Sequence, residues 1–181
     1  MSSPPRRLLA PIQTIAFLGL GSNLASPAEQ VLAAFERIAA TPGVTLLRCS
    51  SLYCTAPIGY VDQPDFINAV VEIATALAPD DLLAAMLGIE HSHGRIREFQ
   101  NAPRTLDVDL LLYGDLVMET ETLTLPHPRA HQRAFVLHPL LEIAPHCHIP
   151  NLGLARHFLA ACGDQGISRM SLPEIPLVKA A

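Results

Sequence analysis

One ten-residue segment alternates acidic and apolar side chains, and it constrains the fold more than any other feature of the chain. Residues 103–112 read P-R-T-L-D-V-D-L-L-L. Alternate side chains of a β-strand point to opposite faces, so Asp107 and Asp109 are expected on one face, about 7 Å apart. The residues expected on the other face are Leu106, Val108, Leu110 and Leu112. The segment therefore predicts a half-buried strand that presents two carboxylates.

Two acids on a half-buried face repel each other and lose hydration, and a divalent cation would relieve both costs. Mg²⁺ prefers oxygen ligands, and two such ions suit a shared phosphate chain. Arg95, Arg97 and Arg104 lie just upstream. Acids for Mg²⁺ beside arginines for phosphate predict a nucleoside triphosphate site. The alternative is an exposed strand end with two solvated acids, which is the better interpretation of an isolated D-x-D motif.

The composition indicates one folded domain. A chain of 181 residues, half of them hydrophobic and 16% charged, is long enough for a full core. A net charge of −5 argues against a nucleic-acid partner bound through broad phosphate neutralisation. No apolar run approaches the roughly 20 residues that span a membrane. The four cysteines lack C-x-x-C spacing, which favours free thiols. We expect a cytoplasmic monomer without a membrane partner.

Apolar periodicity and turn residues predict the element order β-α-β-β-α-β. Strands are expected at residues 14–20, 44–53 and 66–77 and from Asp107 onward. This order is that of an α+β, ferredoxin-like fold, in which helices pack on one face of a mainly antiparallel sheet. The first helix is expected to begin at Pro27, with Ser26 as its cap and Glu29 completing a capping box; the second runs from Pro79 to near Gly94.

The C-terminal part is expected to add further helices to this core. Apolar patterning predicts them at residues 134–143 and 152–162. The domain is thus expected to span residues 14–162, between a flexible tail at residues 1–13 and a weakly ordered tail at residues 163–181.

Several familiar motifs are incomplete. The glycines at Gly19 and Gly21 are followed by Leu24 where a dinucleotide fingerprint needs a third glycine, and no P-loop is present. His146-Cys147-His148 lacks an evident fourth zinc ligand. No nucleophile motif is evident. The turn L-P-H-P-R at residues 125–129 presents His127 near Arg133, and the two could bind phosphate.

Taken together, a series of sequence blocks resembles the 6-hydroxymethyl-7,8-dihydropterin pyrophosphokinase family of folate biosynthesis. Each block is weak alone, but they follow the family order across roughly residues 15–150. The blocks are G-L-G-S-N-L at 19–24, D-Q-P-D-F-I-N-A-V at 62–70, I-E at 89–90, G-R-I-R at 94–97, P-R-T-L-D-V-D-L at 103–110, L-P-H-P-R at 125–129 and R-A-F-V-L at 133–137.

The resemblance implies a reaction in which ATP gives its β,γ-pyrophosphoryl group to the hydroxymethyl oxygen of a reduced pterin and AMP leaves. It implies that Asp107 and Asp109 hold two Mg²⁺ ions, and that Arg95 and Arg97 neutralise charge as AMP departs. Such a transfer depends mainly on positioning and charge stabilisation. Residues 94–102 are expected to form a mobile lid. The chain has no Trp, a residue that many relatives place in that segment.

The resemblance also assigns two sets of binding residues. Those expected to contact ATP are Glu90, Arg97, Arg104, Leu110, Thr124, His127 and Arg133. Those expected to form the pterin pocket are Thr55, Ala56, Pro57, Ile58, Phe66, Asn68, Asp107 and Phe135. Phe66 and Phe135 would sandwich the flat pterin ring, although core packing is the commoner role of a single phenylalanine.

Two rival functions use parts of the same pattern. A non-catalytic ligand-binding module on this fold would need neither the acid pair nor the arginines. A Mg²⁺-dependent phosphodiesterase would keep the acids but needs no aromatic pterin slot. Formation of AMP only in the presence of a hydroxymethylpterin would separate all three functions.

Overall fold

The described part of the chain is organised around one antiparallel sheet. A computed structural model describes residues 12–57, 62–94, 103–163 and 165–170. Their strands are β1 (Thr14–Ser22), β2 (Val44–Cys49), β3 (Tyr53–Thr55), β4 (Phe66–Thr75), β5 (Asp107–Tyr113), β6 (Met118–Glu119), β7 (Thr124–Leu125), β8 (His148–Ile149), β9 (Gly153–Leu154) and β10 (Ile167–Arg169). Their α-helices are α1 (Pro27–Ala39), α2 (Pro79–Ser92), α3 (Ala134–Ile143) and α4 (Arg156–Leu159).

The main sheet has the strand order expected of a ferredoxin-like fold. Its six strands run in the order β10-β3-β4-β1-β5, and β2 pairs with β4 beside β3. All of these pairs are antiparallel. The second predicted strand is therefore two short strands along one side of β4: Val44 pairs with Thr75 near one end, and Tyr53 pairs with Asn68 near the other. The predicted α+β, ferredoxin-like class is confirmed.

Helices cover both faces of this sheet, not one face as expected. One buried cluster joins β1 and β4 to α1 and α2, with Leu18, Ile38 and Met86 among its members. A second cluster lies around α3 and includes Val70 and Leu137. Since β4 is covered on both sides, nine of its ten residues are buried and its burial shows no clean alternation. Among the described residues, no helix combines the length and the apolar character needed to cross a bilayer.

A β-bulge between β1 and β5 changes which face Leu112 occupies. Leu18 pairs with Leu110 but Phe17 pairs with Leu112, so Leu111 is an extra residue in β5. Leu112 consequently packs in the cluster around α3. The prediction that it shares a face with Leu106, Val108 and Leu110 is wrong, while those three lie in the first cluster as expected. Asp107 and Asp109 precede the bulge, so they share one face of β5 as predicted.

The start of α1 differs from its prediction. Pro27 and Pro79 occupy first helical positions as expected. Ser26, however, has a φ of 62° and makes no side-chain cap hydrogen bond, so the predicted capping box is wrong. The carbonyl oxygen of Ser26 instead accepts the backbone N–H of Gln30 at 3.1 Å. A left-handed backbone turns the Ser26 side chain away from the amides that it would otherwise cap.

The C-terminal part contains less helix and more strand than expected. The helix predicted at 152–162 is the four-residue α4 followed by a 3₁₀ turn at Ala160–Cys162. The weakly ordered tail expected from residue 163 includes β10, which pairs with β3. Glu142 holds this strand: its carboxylate accepts hydrogen bonds from Tyr53 Oη at 2.9 Å and from Arg169 Nη2 at 2.9 Å.

The central strands should carry most of the stability. Leu18 is fully buried in β1, so Leu18→Ala should lower the free energy of unfolding by about 3 kcal/mol through lost burial and a residual cavity. Leu47→Ala is the matched control, because Leu47 is 45% exposed and should lose about 1 kcal/mol or less. Urea unfolding measures both values. Equal losses for the two variants would contradict this core assignment.

Candidate active site

The predicted site residues converge where β1 ends between β4 and β5. Because neighbouring strands are antiparallel, the C-terminal end of β1 meets the N-terminal ends of the other two. Gly21 pairs with Asn68 on one side and with Asp107 on the other. A Cβ added to Gly21 would lie 3.1 Å from Asn68 Oδ1, so the glycine leaves room for that amide. The register thus places part of the predicted pterin set and the acid pair on either side of one strand.

Each carboxylate of the acid pair lies beside an arginine. Arg104 Nη1 forms an ion pair with Asp107 Oδ2. Arg133, just before α3, places Nη1 3.8 Å from Asp109 Oδ2. Burial, followed by the nearby Arg129 guanidinium, lowers the pKa of Arg133, while Asp109 and Asp107 raise it. The charges of the two arginines offset the repulsion expected between two acids on one face.

The same two arginines lie against the two predicted pterin-stacking rings. Arg104 Cζ is 5.5 Å from the centroid of Phe66, and Arg133 Cζ is 5.3 Å from that of Phe135. Both distances suit cation–π contacts. The site therefore has two similar units, Phe66–Arg104–Asp107 and Phe135–Arg133–Asp109, and each unit joins residues from separate parts of the chain.

Arg104 also retains unused hydrogen-bonding capacity. Within the described part of the chain, its Nε and the hydroxyl of Thr105 are buried side-chain atoms without a hydrogen-bond partner. A buried donor without an acceptor is costly. The Nε–H of Arg104, beside the two carboxylates, is therefore a suitable donor for a phosphate oxygen.

The polar side of the predicted pterin pocket is formed by β3 and β4. Asn68 is buried and its Nδ2 donates to Thr55 Oγ1 at 2.9 Å. Thr55 pairs with Phe66 across the two strands. Ala56 is exposed and Pro57 is half-buried immediately after β3. Ile58 lies outside the described residues, as do Arg95 and Arg97.

The residues assigned to the nucleotide take different structural positions. Glu90 on α2 is 3% exposed, and its Oε1 accepts the Val108 N–H at 2.7 Å, which ties α2 to β5. Leu110 packs its side chain in the first core cluster, so its backbone is the part that suits ligand contact. Thr124 is half-buried in β7. A cleft of about 470 Å³ lies beside Thr124 and His127.

His127 is held as a neutral ring. Its backbone N–H donates to Leu111 O at 2.9 Å, which attaches the turn to β5. Its Nδ1 accepts the Arg129 N–H at 3.1 Å, so the proton of the neutral ring is on Nε2. Burial, and then the charges of Arg133 and Arg129, lower the pKa of His127 to about 4. At neutral pH this ring offers an N–H donor without adding a charge.

The acid pair does not make a complete metal site from protein atoms. No group of three or more His, Cys, Asp or Glu side chains able to hold a metal ion occurs within the described ranges. Mg²⁺ commonly uses only one or two carboxylates and completes its shell with phosphate oxygens and water. Asp107 and Asp109, with a donor-rich surface for phosphate beside them, fit that type of site.

Asn23 is a residue of this region that the sequence interpretation missed. It is 2% exposed and follows β1 directly. Its side chain hydrogen-bonds to Arg104 on one side and to residues 63 and 64 on the other. The only signal was its place in the G-L-G-S-N-L block at residues 19–24, where the resemblance assigned it no role.

The lowered pKa of His127 predicts a pH effect on stability. Between pH 6.5 and 4, His127 is protonated in the unfolded chain but remains neutral in the folded protein. The contribution of His127 to the free energy of unfolding therefore falls as the pH drops through that window. His127→Gln should make the loss of stability from pH 7 to pH 5 smaller than in the unaltered protein. Urea unfolding at both pH values measures the difference, and a His127 NMR titration midpoint near 6.5 would contradict the burial argument.

Comparison with known proteins covers most of the chain. The family model described as 7,8-dihydro-6-hydroxymethylpterin-pyrophosphokinase matches residues 17–145. The 2-amino-4-hydroxy-6-hydroxymethyldihydropteridine pyrophosphokinase of Pseudomonas aeruginosa is 43% identical over 154 residues, covering 85% of this chain and 95% of that protein. The protein of the same name from Methylorubrum extorquens is 44% identical over 157 residues, covering 87% of this chain and 99% of the other.

A solved structure agrees on the fold. The HPPK-DHPS protein of Plasmodium falciparum, solved with pterin and p-hydroxybenzoate, matches with a TM-score of 0.66 at 15% identity. The match covers 87% of this chain and 46% of that one, so this chain spans about half the length of the solved protein. The extent and identity of the sequence matches carry the assignment: the chain belongs to the 7,8-dihydro-6-hydroxymethylpterin-pyrophosphokinase family.

Proposed function

We propose that this protein transfers the pyrophosphoryl group of ATP to the hydroxymethyl oxygen of 6-hydroxymethyl-7,8-dihydropterin, with release of AMP and the pterin diphosphate, as a step of folate biosynthesis. The observation that carries the proposal is the pair of phenylalanine–arginine–aspartate units at the end of β1. Family membership supplies the reaction, and the units supply groups for a flat ring, a phosphate chain and a metal.

The arginines would bind the triphosphate. Arg104 lies against Asp107 and Arg133 lies against Asp109. Phosphate oxygens offer each guanidinium a more highly charged partner, and the buried Nε of Arg104 adds a donor. His127 would add a neutral N–H donor. Glu90, Leu110 and Thr124 would contact the rest of the nucleotide in this proposal.

Asp107 and Asp109 would hold two Mg²⁺ ions once the arginines turn to phosphate. When bound, such ions neutralise charge that develops on the triphosphate and help to orient it. The carboxylates suit this role because they share one face of β5 and remain partly exposed, with 18% and 41% of their side-chain surface accessible.

The pterin would lie between Phe66 and Phe135. Thr55 and Asn68 are buried and hydrogen-bonded to each other, so they present a fixed polar edge beside Phe66. Backbone groups of residues 56–58 would complete the pocket. The resemblance adds Arg95 and Arg97, which would stabilise the departing AMP from a lid segment.

Two other functions make less use of these features. A phosphodiesterase would leave the aromatic units unexplained, and a binding module would leave the arginine–carboxylate pairs unexplained. The direct test incubates the protein with Mg²⁺ and ATP and measures AMP with and without 6-hydroxymethyl-7,8-dihydropterin. The proposal requires AMP to form only with the pterin. AMP formed equally without it would support a hydrolase.

A cytoplasmic location belongs to the proposal as well. Cys49, Cys54, Cys147 and Cys162 are all free thiols. Burial raises the pKa of the half-buried Cys147 to about 11, so this thiol remains protonated near neutral pH. Unpaired thiols of this kind suit a reducing compartment.

Asp107 should be required for turnover and not for folding. Asp107→Asn keeps the shape of the side chain but removes its charge. Loss of one such preorganised charge should lower kcat by at least roughly a hundredfold, with far-UV circular dichroism unchanged. Asp115→Asn, which alters an exposed acid in the turn after β5, is the matched control and should retain full activity. Near-normal turnover of Asp107→Asn at limiting Mg²⁺ would rule the metal assignment out.

Phe135 should matter for pterin more than for nucleotide. Phe135→Ala should weaken pterin binding roughly tenfold or more through lost stacking, and should weaken binding of a non-hydrolysable ATP analogue only a few-fold. Phe158→Ala removes another half-buried ring that packs against the α3 cluster and should leave both affinities unchanged. Isothermal titration calorimetry measures them. Equal losses for pterin and nucleotide in Phe135→Ala would instead indicate a general packing defect.

A further inference from the structure

The Asn23 side chain uses its hydrogen-bonding groups on two opposite sides. Its Oδ1 accepts the backbone N–H of Arg104 at 2.8 Å, and its own backbone N–H donates to Arg104 O at 3.0 Å. Its Nδ2 donates to Gln63 Oε1 at 2.9 Å and to Pro64 O at 3.0 Å. Since both amide hydrogens and the amide oxygen are engaged, the side chain has one orientation only.

The two sides joined by Asn23 are the two sides of the proposed site. Arg104 carries the guanidinium that pairs with Asp107. Pro64 lies two residues before Phe66, one of the proposed pterin-stacking rings. Neither Pro64 nor Arg104 belongs to a strand, so the sheet ladder does not fix their separation. The hydrogen bonds of Asn23 connect the two segments beyond the end of β1, where the sheet ladder does not.

We infer that Asn23 is a positioning residue for the transfer: its amide fixes the segment that leads to Phe66 relative to Arg104, and so aligns the pterin hydroxymethyl oxygen with the triphosphate. This inference rests on the proposed function. Transfer between two bound substrates is sensitive to such alignment, because a displacement of about 1 Å can cost roughly a hundredfold in rate. Asn23 itself acts through Arg104 and Pro64 and needs no contact with substrate.

Two substitutions disrupt the contacts of the amide in different ways. Asn23→Asp keeps the size of the side chain and the acceptor for Arg104 N–H, but places an oxygen where Nδ2 donated to Gln63 and Pro64. Asn23→Ala removes both sets of contacts without adding a charge. The inference predicts a single-turnover rate, with both substrates saturating, that falls roughly ten- to a hundredfold in both variants. The dissociation constant of an ATP analogue should stay within about threefold in both.

Thr75→Val is the matched control for lost stability. Thr75 is fully buried at the far end of β4, where its hydroxyl donates to Gly43 O at 3.0 Å and accepts the Leu77 N–H at 3.1 Å. The control therefore also loses hydrogen bonds of a buried polar side chain, but away from the site. It should show a lowered Tm and an unchanged single-turnover rate.

Rates are compared at a temperature where circular dichroism shows every variant folded, and Asn23→Ser replaces any Asn23 variant that does not fold. A slow chemical step in the Asn23 variants with a normal rate in Thr75→Val supports the inference. Wild-type rates in the Asn23 variants, or a rate loss in Thr75→Val that matches theirs, would overturn it. Failure of the proposed function would look different, because the unaltered protein would then form no pterin-dependent AMP.

Discussion

Two carboxylates on one face of an edge strand require nearby positive charge, and much of the fold serves to provide it. Arg104 is supplied locally, three residues before Asp107. Arg133 is supplied from about 25 residues further along the chain, where the chain enters α3 and faces Asp109. The helix that packs on the second face of the sheet is thus more than an addition to the core. It brings Arg133 and Phe135 to the strand end where the first unit already lies.

The ion pairs also explain how one site can serve two kinds of charge. Each acid lies beside an arginine, so the charges of this partly buried surface are largely balanced. A triphosphate would draw the arginines towards itself and leave the acids to cations. Binding of nucleotide and metal would therefore be coupled, and such coupling is reciprocal by thermodynamic linkage. His127 stays outside this exchange because its lowered pKa keeps the ring neutral.

Local sequence patterns predicted the order of the secondary-structure elements but not the long-range contacts between them. Proline positions and apolar periodicity located α1, α2 and the first strands, and the D-x-D spacing survived because the bulge follows Asp109. The prediction of the sheet face that Leu112 occupies was wrong, because the bulge in the pairing of β1 with β5 has no local sequence signature. The sequence also carries no local signal for the side of the sheet that α3 covers or for the pairing of the three-residue β10 with β3. Neither feature was predicted. In the site, residue types were predictable, whereas the pairing of Arg133 with Asp109 and the hydrogen bonds of Asn23 depend on tertiary structure.

Asp107 and Asp109 are proposed to become metal ligands when a triphosphate binds Arg104 and Arg133. Electron paramagnetic resonance titration with Mn²⁺, as a substitute for Mg²⁺, would count the ions bound in the presence of a non-hydrolysable ATP analogue and the pterin. We expect two ions per protein in the unaltered complex and fewer in Asp109→Asn, with bound nucleotide verified in both. The same number of tightly bound ions in the variant as in the unaltered protein would contradict this proposal.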